Sequence, residues 1–246
     1  MSATRQDYQV ASLAAGFTIG FGFLTVWEAM KQTARNKDPI RSPYIYMIWG
    51  EIIANLVLGI LAFLYLEETI GSSVPTFFFI LLCWVFEIQL LMQIIINRIA
   101  VISESERTVK KIRWGTVAVI STINLAVFCI FIPAHLADPP KGFVAINAYW
   151  DKISKVLICI VDAALNVYFL RTVRQRLVKY HGLQKYAPLV SFNSKLMFVS
   201  ILMDLMLIGL MFLPNQVVFI QFHPVTYMVK LNIEMTMANL IRQLAR

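Results

Sequence analysis

Charge is what this sequence has least of. Lys, Arg, Asp and Glu make up only 15% of its 246 residues, while apolar residues reach 59%. A soluble domain carries roughly a quarter charged residues, so this shortage excludes an ordinary soluble fold. Cysteine is also scarce. Cys83, Cys129 and Cys159 all fall inside apolar runs, where cysteine behaves as a small buried hydrophobe, and no loop cysteine is left for an extracellular disulfide. There is no Asn-x-Ser/Thr sequon and no internal repeat. No charged segment followed by a short apolar core and a small-residue cleavage site opens the chain, so the first apolar run is expected to be a retained helix rather than a signal peptide. The loops hold no nucleotide-binding motif, haem pattern or Ser-His-Asp constellation, which disfavours redox and hydrolytic enzymes.

What the chain does have is long apolar runs, with a mean hydropathy of +0.68. A hydrocarbon core about 30 Å thick is crossed by roughly 20 helical residues. Reading for such runs gives seven, at about 9–30, 43–65, 74–98, 113–133, 149–170, 193–213 and 216–241. Pro39, Pro43, Gly71, Pro75, Pro133, Pro139, Pro140, Gly142, Gly182, Pro188 and Pro214 punctuate the breaks. Helix is the conformation expected, because an open strand leaves its backbone unsatisfied in lipid. The fold class is therefore an all-α, polytopic, seven-helix transmembrane bundle, forming a single domain over 1–246, with no loop long enough to fold separately.

The few charges are not spread evenly. Lys31, Arg35, Lys37 and Arg41 lie in the first loop, with Arg107, Lys110 and Lys111 in the third, flanked by Arg98 and Arg113. Arg171, Arg174, Arg176, Lys179 and Lys185 lie in the fifth. The second and sixth loops have no Lys or Arg, and the fourth has only Lys141. By the positive-inside rule the odd loops are cytoplasmic, the N-terminus outside and the C-terminus inside. The net charge of +8 is this bias, touching anionic lipid heads rather than nucleic acid. The location expected is integral and multi-pass, in the endoplasmic reticulum or plasma membrane.

Within the runs, polar residues recur at helical spacing. In "FHPVTYMVKLNIE", His223, Tyr227, Lys230 and Glu234 are four, three and four residues apart and share one helix face. Glu51 and Asn55 share a face of the second run with Tyr44, and Asp162 and Asn166 one of the fifth with Asp151 and Lys155. Ser200 lies with Asp204 in the sixth, and Gln89, Gln93 and Asn97 form a stripe in the third with Glu87 on a neighbouring arc. An ionised side chain at the bilayer centre costs about 2.5–3.5 kcal/mol on the lenient insertion scale. Glu51, Glu87, Asp162, Asp204, Lys230 and Glu234 are therefore expected to face one another across a central cavity. Acids outnumber bases at that depth, so some are expected to carry their proton. Lys155 is expected to snorkel to the outer surface. Pro224 is expected to kink the seventh helix, with His223 near the outer mouth and His135 at the same surface. Two histidines without further ligands do not make a metal site. Lys230 before Glu234 is the weaker i,i+4 order, so Lys230 is expected to engage an acid of another helix, Glu87 or Asp204.

The segments "EIQLLMQIIINRI", "NAYWDKISKVLICIVDAALNVYFL" and "NQVVFIQFHPVTYMVKLNIEMTMANLI" resemble a family of fungal seven-helix integral membrane proteins with no established activity. The resemblance implies fold and location. A shorter likeness is to the fungal membrane-bound terpene cyclases. "IWGEII" is similar to their Trp-Glu-aliphatic motif and "IVDAALNVYF" to their late-helix Asp and aromatic pair, which would make Glu51 and Asp162 acids. Here Gly50 separates Trp49 from Glu51, and the aspartate falls on the fifth run rather than the last.

The function expected is a membrane-embedded cyclase or isomerase acting by general-acid chemistry on an apolar metabolite of terpenoid or polyketide type. Glu51, Asp162, Asp204 and Glu87 are the candidate acids. Tyr227, Lys230, Glu234, Asn55, Asn166, Gln93 and His223 would line the cavity. No cofactor is expected, and the partners expected are the bilayer and an apolar small molecule. A seven-helix receptor or sensor and a proton-coupled carrier remain open. A retinal Schiff base at Lys230 is disfavoured by Thr226, which stands where microbial rhodopsins carry an aspartate.

Overall fold

A computed structural model describes residues 5–67, 69–71, 73–135, 139–175, 187–212 and 216–244. Among these residues there are seven α-helices and no strand. They are α1 (Arg5–Ala34), α2 (Pro43–Leu66), α3 (Val74–Ile102), α4 (Glu106–Ala134), α5 (Lys141–Val173), α6 (Ala187–Leu210) and α7 (Gln216–Leu244), with one 3-10 turn at Pro39–Arg41 before α2. Every expected run is found as a helix, in most cases a few residues longer at its polar ends. Arg176, Lys179, Gly182, Lys185 and Pro214 lie outside the described residues.

Local chemistry sets the starts. Pro43 and Pro75 occupy the first turns of α2 and α3, where a missing N–H costs nothing and the fixed φ suits the helix. Ser73 and Ser105 cap α3 and α4 by accepting from the backbone N–H of Thr76 and Thr108, at 3.4 and 3.3 Å. Pro133 sits one residue before the last of α4. The α7 helix continues through Pro224.

Consecutive helices pack against one another in order around the bundle, and α7 closes it by contacting α1, α2, α3 and α6. Two apolar clusters fill the interior. One joins α3, α4 and α5 through residues such as Ile88, Leu91, Ile95, Ile120 and Phe169. The other joins α1, α2, α3 and α7 through Ala29, Ile48, Ile94, Leu231 and Met235. Outward-facing Phe23, Leu125 and Phe198 are among the most exposed apolar side chains, as on a surface that faces lipid rather than water.

Six helices, α1 to α6, are long and apolar enough to cross a membrane. At 29 residues α7 is long enough too, but it is not among the six, and its position explains why. From Phe219 to Leu240 none of its residues is exposed. A helix enclosed by protein can carry polar groups that a lipid-facing one cannot. Excised and placed in a translocon insertion reporter, Gln216–Leu244 should insert poorly, and Glu106–Ala134 well. Changing Lys230 and Glu234 to Leu should raise insertion of the α7 segment on the order of 100-fold or more, at about 2.5–3.5 kcal/mol per charged residue. Equal insertion of the two unmodified segments would show that α7 does not depend on its neighbours.

Candidate functional site

The polar residues of the interior lie in three successive layers along α7. At 1.5 Å per residue, His223 and Glu234 stand about 16 Å apart along the axis, so the layers cover about half of a hydrocarbon core.

The first layer closes the floor of a cavity of about 160 Å³ at the end of the bundle where α7 begins. Aromatic side chains from four helices form its walls: Tyr65, Phe77, Trp84, Phe131 and Phe219. Trp84 Nε1–H donates to His223 Nε2 at 2.7 Å. That bond needs an unprotonated Nε2, so the neutral ring carries its hydrogen on Nδ1. Nδ1 faces Glu87 Oε2 at 3.4 Å, an electrostatic contact without hydrogen-bond geometry. Tyr227 stacks flat on the His223 ring, 4.6 Å between centroids and 7° between planes. Instead of snorkelling to the surface, Lys155 turns inward. Its Nζ lies 3.7 Å from the Trp84 ring centroid and 5.4 Å from that of Phe219. The π faces of these two rings attract the ammonium, and this competes with the path to water. His135 lines the same cavity, whereas His223 is buried rather than at the mouth.

The second layer is an ion-pair cluster. Lys230 Nζ donates to both oxygens of Asp204, at 2.7 and 2.8 Å, and stands 3.3 Å from Asp162 Oδ2. One ammonium thus joins α5, α6 and α7. Of the two cross-helix acids expected for Lys230, Asp204 is the partner and Asp162 joins it, while Glu87 belongs to the layer above. Asn166, one turn along α5, donates to the Asp162 side chain at 3.3 Å.

The third layer is built on Arg98. Its Nη1 lies 3.0 Å from Glu234 Oε2, its Nη2 donates to Asn166 Oδ1 at 2.8 Å, and its guanidinium covers the Phe169 ring at 3.9 Å. Asn166 therefore bridges the second and third layers. Arg98 was counted above with the basic flank of the third loop, because it lies near the end of its run. Spacing holds the missed signal. Arg98 follows Glu87 by eleven residues, which is three helical turns to within about 20°, so both share the buried face of α3. Leu91 and Ile95, fully buried on that face, keep the two polar groups apart.

Three of the candidate residues stand outside these layers. Glu51 is fully buried on α2 and close enough to Glu87, Glu234 and Lys230 to interact with them electrostatically, yet neither of its oxygens has a hydrogen-bond partner among the described residues. Asn55, one turn further on, faces a separate groove. Gln93 is half-buried and does not join the network.

Charge counting shows what the arrangement can do. Glu51, Glu87, Asp162, Asp204 and Glu234 are buried within it with the cations Arg98 and Lys230, while Lys155 and Asp151, both half-buried, line the cavity. Acids thus outnumber cations in the interior by six to three. Glu51 has no cation in bonding contact among the described residues, and an unpaired carboxylate is costly at that depth. The bundle therefore brings an excess of acids close to an aromatic cavity. Metal binding has no comparable support: among the described residues no group of three or more His, Cys, Asp or Glu is placed to hold an ion.

A double-mutant cycle measured by reversible unfolding in mixed micelles tests the second layer. Lys230→Met combined with Asp204→Asn should show a coupling of about 1–3 kcal/mol, because the second change removes the acid that the first leaves unpaired. Lys230→Met combined with Glu87→Gln should be additive to within about 0.5 kcal/mol. Additivity in the first pair would mean that the buried pair does not hold the three helices together.

No family model matches the chain, and no curated protein or solved structure matches it either.

Proposed function

We propose that this protein is a membrane-embedded cyclase or isomerase that acts on a small apolar molecule by general-acid chemistry. The observation that carries the reading is the floor of the aromatic cavity, where His223 separates the cavity from the buried Glu87. A carboxylic acid kept from water is a competent proton donor. His223 presents Nδ1 to Glu87 and Nε2 to Trp84 at the cavity wall; once the Trp84 bond opens and the ring hydrogen sits on Nε2, that nitrogen gives its proton to the substrate while Nδ1 accepts the proton of Glu87. Walls of five aromatic side chains favour an apolar substrate, within the terpenoid or polyketide class expected from sequence. The room available is close to that of a cavity that takes benzene, so one ring or a short branched segment enters and the rest of a larger substrate extends through the open end. Lys155 sharpens the choice. A substrate carbocation beside an ammonium is opposed by like charge, whereas a carbonyl oxygen beside it is stabilised as negative charge develops. Asp151 lines the same cavity, so a cation is opposed only on the Lys155 side, and there isomerisation next to a carbonyl fits better.

The charge pattern of the loops supports an orientation with the N-terminus outside and the cavity opening to that side, in the endoplasmic reticulum or plasma membrane. A reporter fused after Arg246 should be cytoplasmic, and finding it protected in the lumen would overturn the orientation.

A second reading has one observation of its own. Titratable groups continue beneath the cavity from His223 to Glu234, as in a proton relay of a carrier. Both readings are tested together. In a deletion strain complemented with variants, Glu87→Gln should lower the missing product on the order of 100-fold or more while the monodisperse folded yield stays near wild type. An unchanged metabolite profile on deletion, with proton uptake into proteoliposomes that Glu87→Gln abolishes, would replace the enzyme by the carrier.

A further inference from the structure

We propose that the groove between α1, α2 and α7 is a binding site for a neutral, apolar alcohol, whose hydroxyl is held by Asn55 and Gln221. The groove has a volume of about 330 Å³, and Ile19, Leu56, Ile60, Phe63 and Pro224 are among the residues of its wall. That volume lies within the range of small-molecule sites. It is separate from the aromatic cavity, because Leu58 of α2 and His223 of α7 face the cavity, and Asn55 and Pro224 of the same two helices face the groove.

The polar atoms of the groove identify the ligand. Asn55 is fully buried, and among the described residues neither its Nδ2 nor its Oδ1 has a hydrogen-bond partner; Gln221 is 2% exposed and its Nε2 has none there either. A buried amide left unpaired is destabilising, and both of these line a groove whose one other polar side chain, Thr18, donates its hydroxyl to Ala14 O at 2.9 Å. Depth excludes most lipid headgroups. Asn55 sits midway along α2, hence near the bilayer centre, where a phosphate, carboxylate or ammonium is heavily penalised. The polar group must be small and neutral. A ketone or ether could accept from Asn55 Nδ2 or Gln221 Nε2, but it would leave Asn55 Oδ1 bare. A hydroxyl accepts from one amide and donates to the other partner, so unlike a ketone or an ether it satisfies both kinds of atom. Gly59 keeps the groove open. A Cβ built there meets only Pro224, at 3.9 and 4.0 Å, so a larger side chain fits on the helix and projects into the space a ligand would take.

The test uses the full chain in phosphatidylcholine nanodiscs and a long-chain alcohol bearing a mid-chain diazirine. Photolabelling should map to peptides holding Ile19, Leu56 or Ile60. 1-Dodecanol should compete about tenfold better than its methyl ether or dodecane, the value of about one hydrogen bond. Asn55→Leu and Gly59→Leu should each lower groove labelling at least fivefold, the first by removing the amide and the second by filling the space. Glu87→Gln should leave labelling unchanged, which separates this site from the chemistry proposed for the cavity. Labelling spread equally over Phe23, Leu125 and Phe198 would overturn the proposal. So would equal competition by dodecane, or a folded Gly59→Leu that labels like wild type.

Discussion

The contact between Lys230 and the two aspartates is the interaction on which the bundle turns. A lone ammonium near the centre of a bilayer is opposed by its lost hydration, and a lone carboxylate likewise. Here the cost is offset only when α5, α6 and α7 stand in one register, with Asp162 and Asp204 closing on the same Nζ. Apolar packing alone discriminates weakly between such registers, because lipid tails are as apolar as the side chains they would replace. The buried charges thus supply specificity of arrangement, while the aliphatic clusters around α3 supply contact.

That requirement also explains the position of α7. Its polar line can exist only where no lipid reaches, and the surrounding helices present to it the acids, amides and guanidinium that complete each layer. Because Asn166 donates to Asp162 and is bonded by Arg98, the second and third layers are connected. Leu91 and Ile95 instead separate Glu87 from Arg98 along α3. The cavity layer meets the second layer through Tyr227, which stacks on His223 and whose ring centroid lies 5.8 Å from Lys230 Nζ. Lys155, turned inward over Trp84, adds a cation to the cavity and none to the Arg98 layer.

Much of the site was legible before any coordinates. Helical spacing assigned His223, Tyr227, Lys230 and Glu234 to one face, and the cost of charge in hydrocarbon required that face to point inward. The same reasoning erred where a residue lay close to the end of its run. Arg98 was placed with the loop charges and Lys155 with the surface, because depth was judged along one helix at a time. Whether a long cationic side chain reaches water or turns inward depends on what neighbouring helices offer it. Phe169 and Glu234 for Arg98, and Trp84 and Phe219 for Lys155, come from helices remote in sequence.

Taken by itself, the sequence determined the number of helices, their limits to within a few residues at most ends, the polar face of each and the identity of most buried charges. These are local consequences of periodicity, hydropathy and the price of desolvation. Tertiary structure alone decided the pairings. It matched Lys230 to Asp204 and Asp162 rather than to Glu234 or Glu87, gave Glu234 to Arg98, left Glu51 without a cation in bonding contact among the described residues, and turned Asn55 into a groove of its own. Those outcomes depend on the rotation and depth of each helix relative to its neighbours. Many acids and few bases allow several self-consistent pairings, and only the packed bundle selects among them.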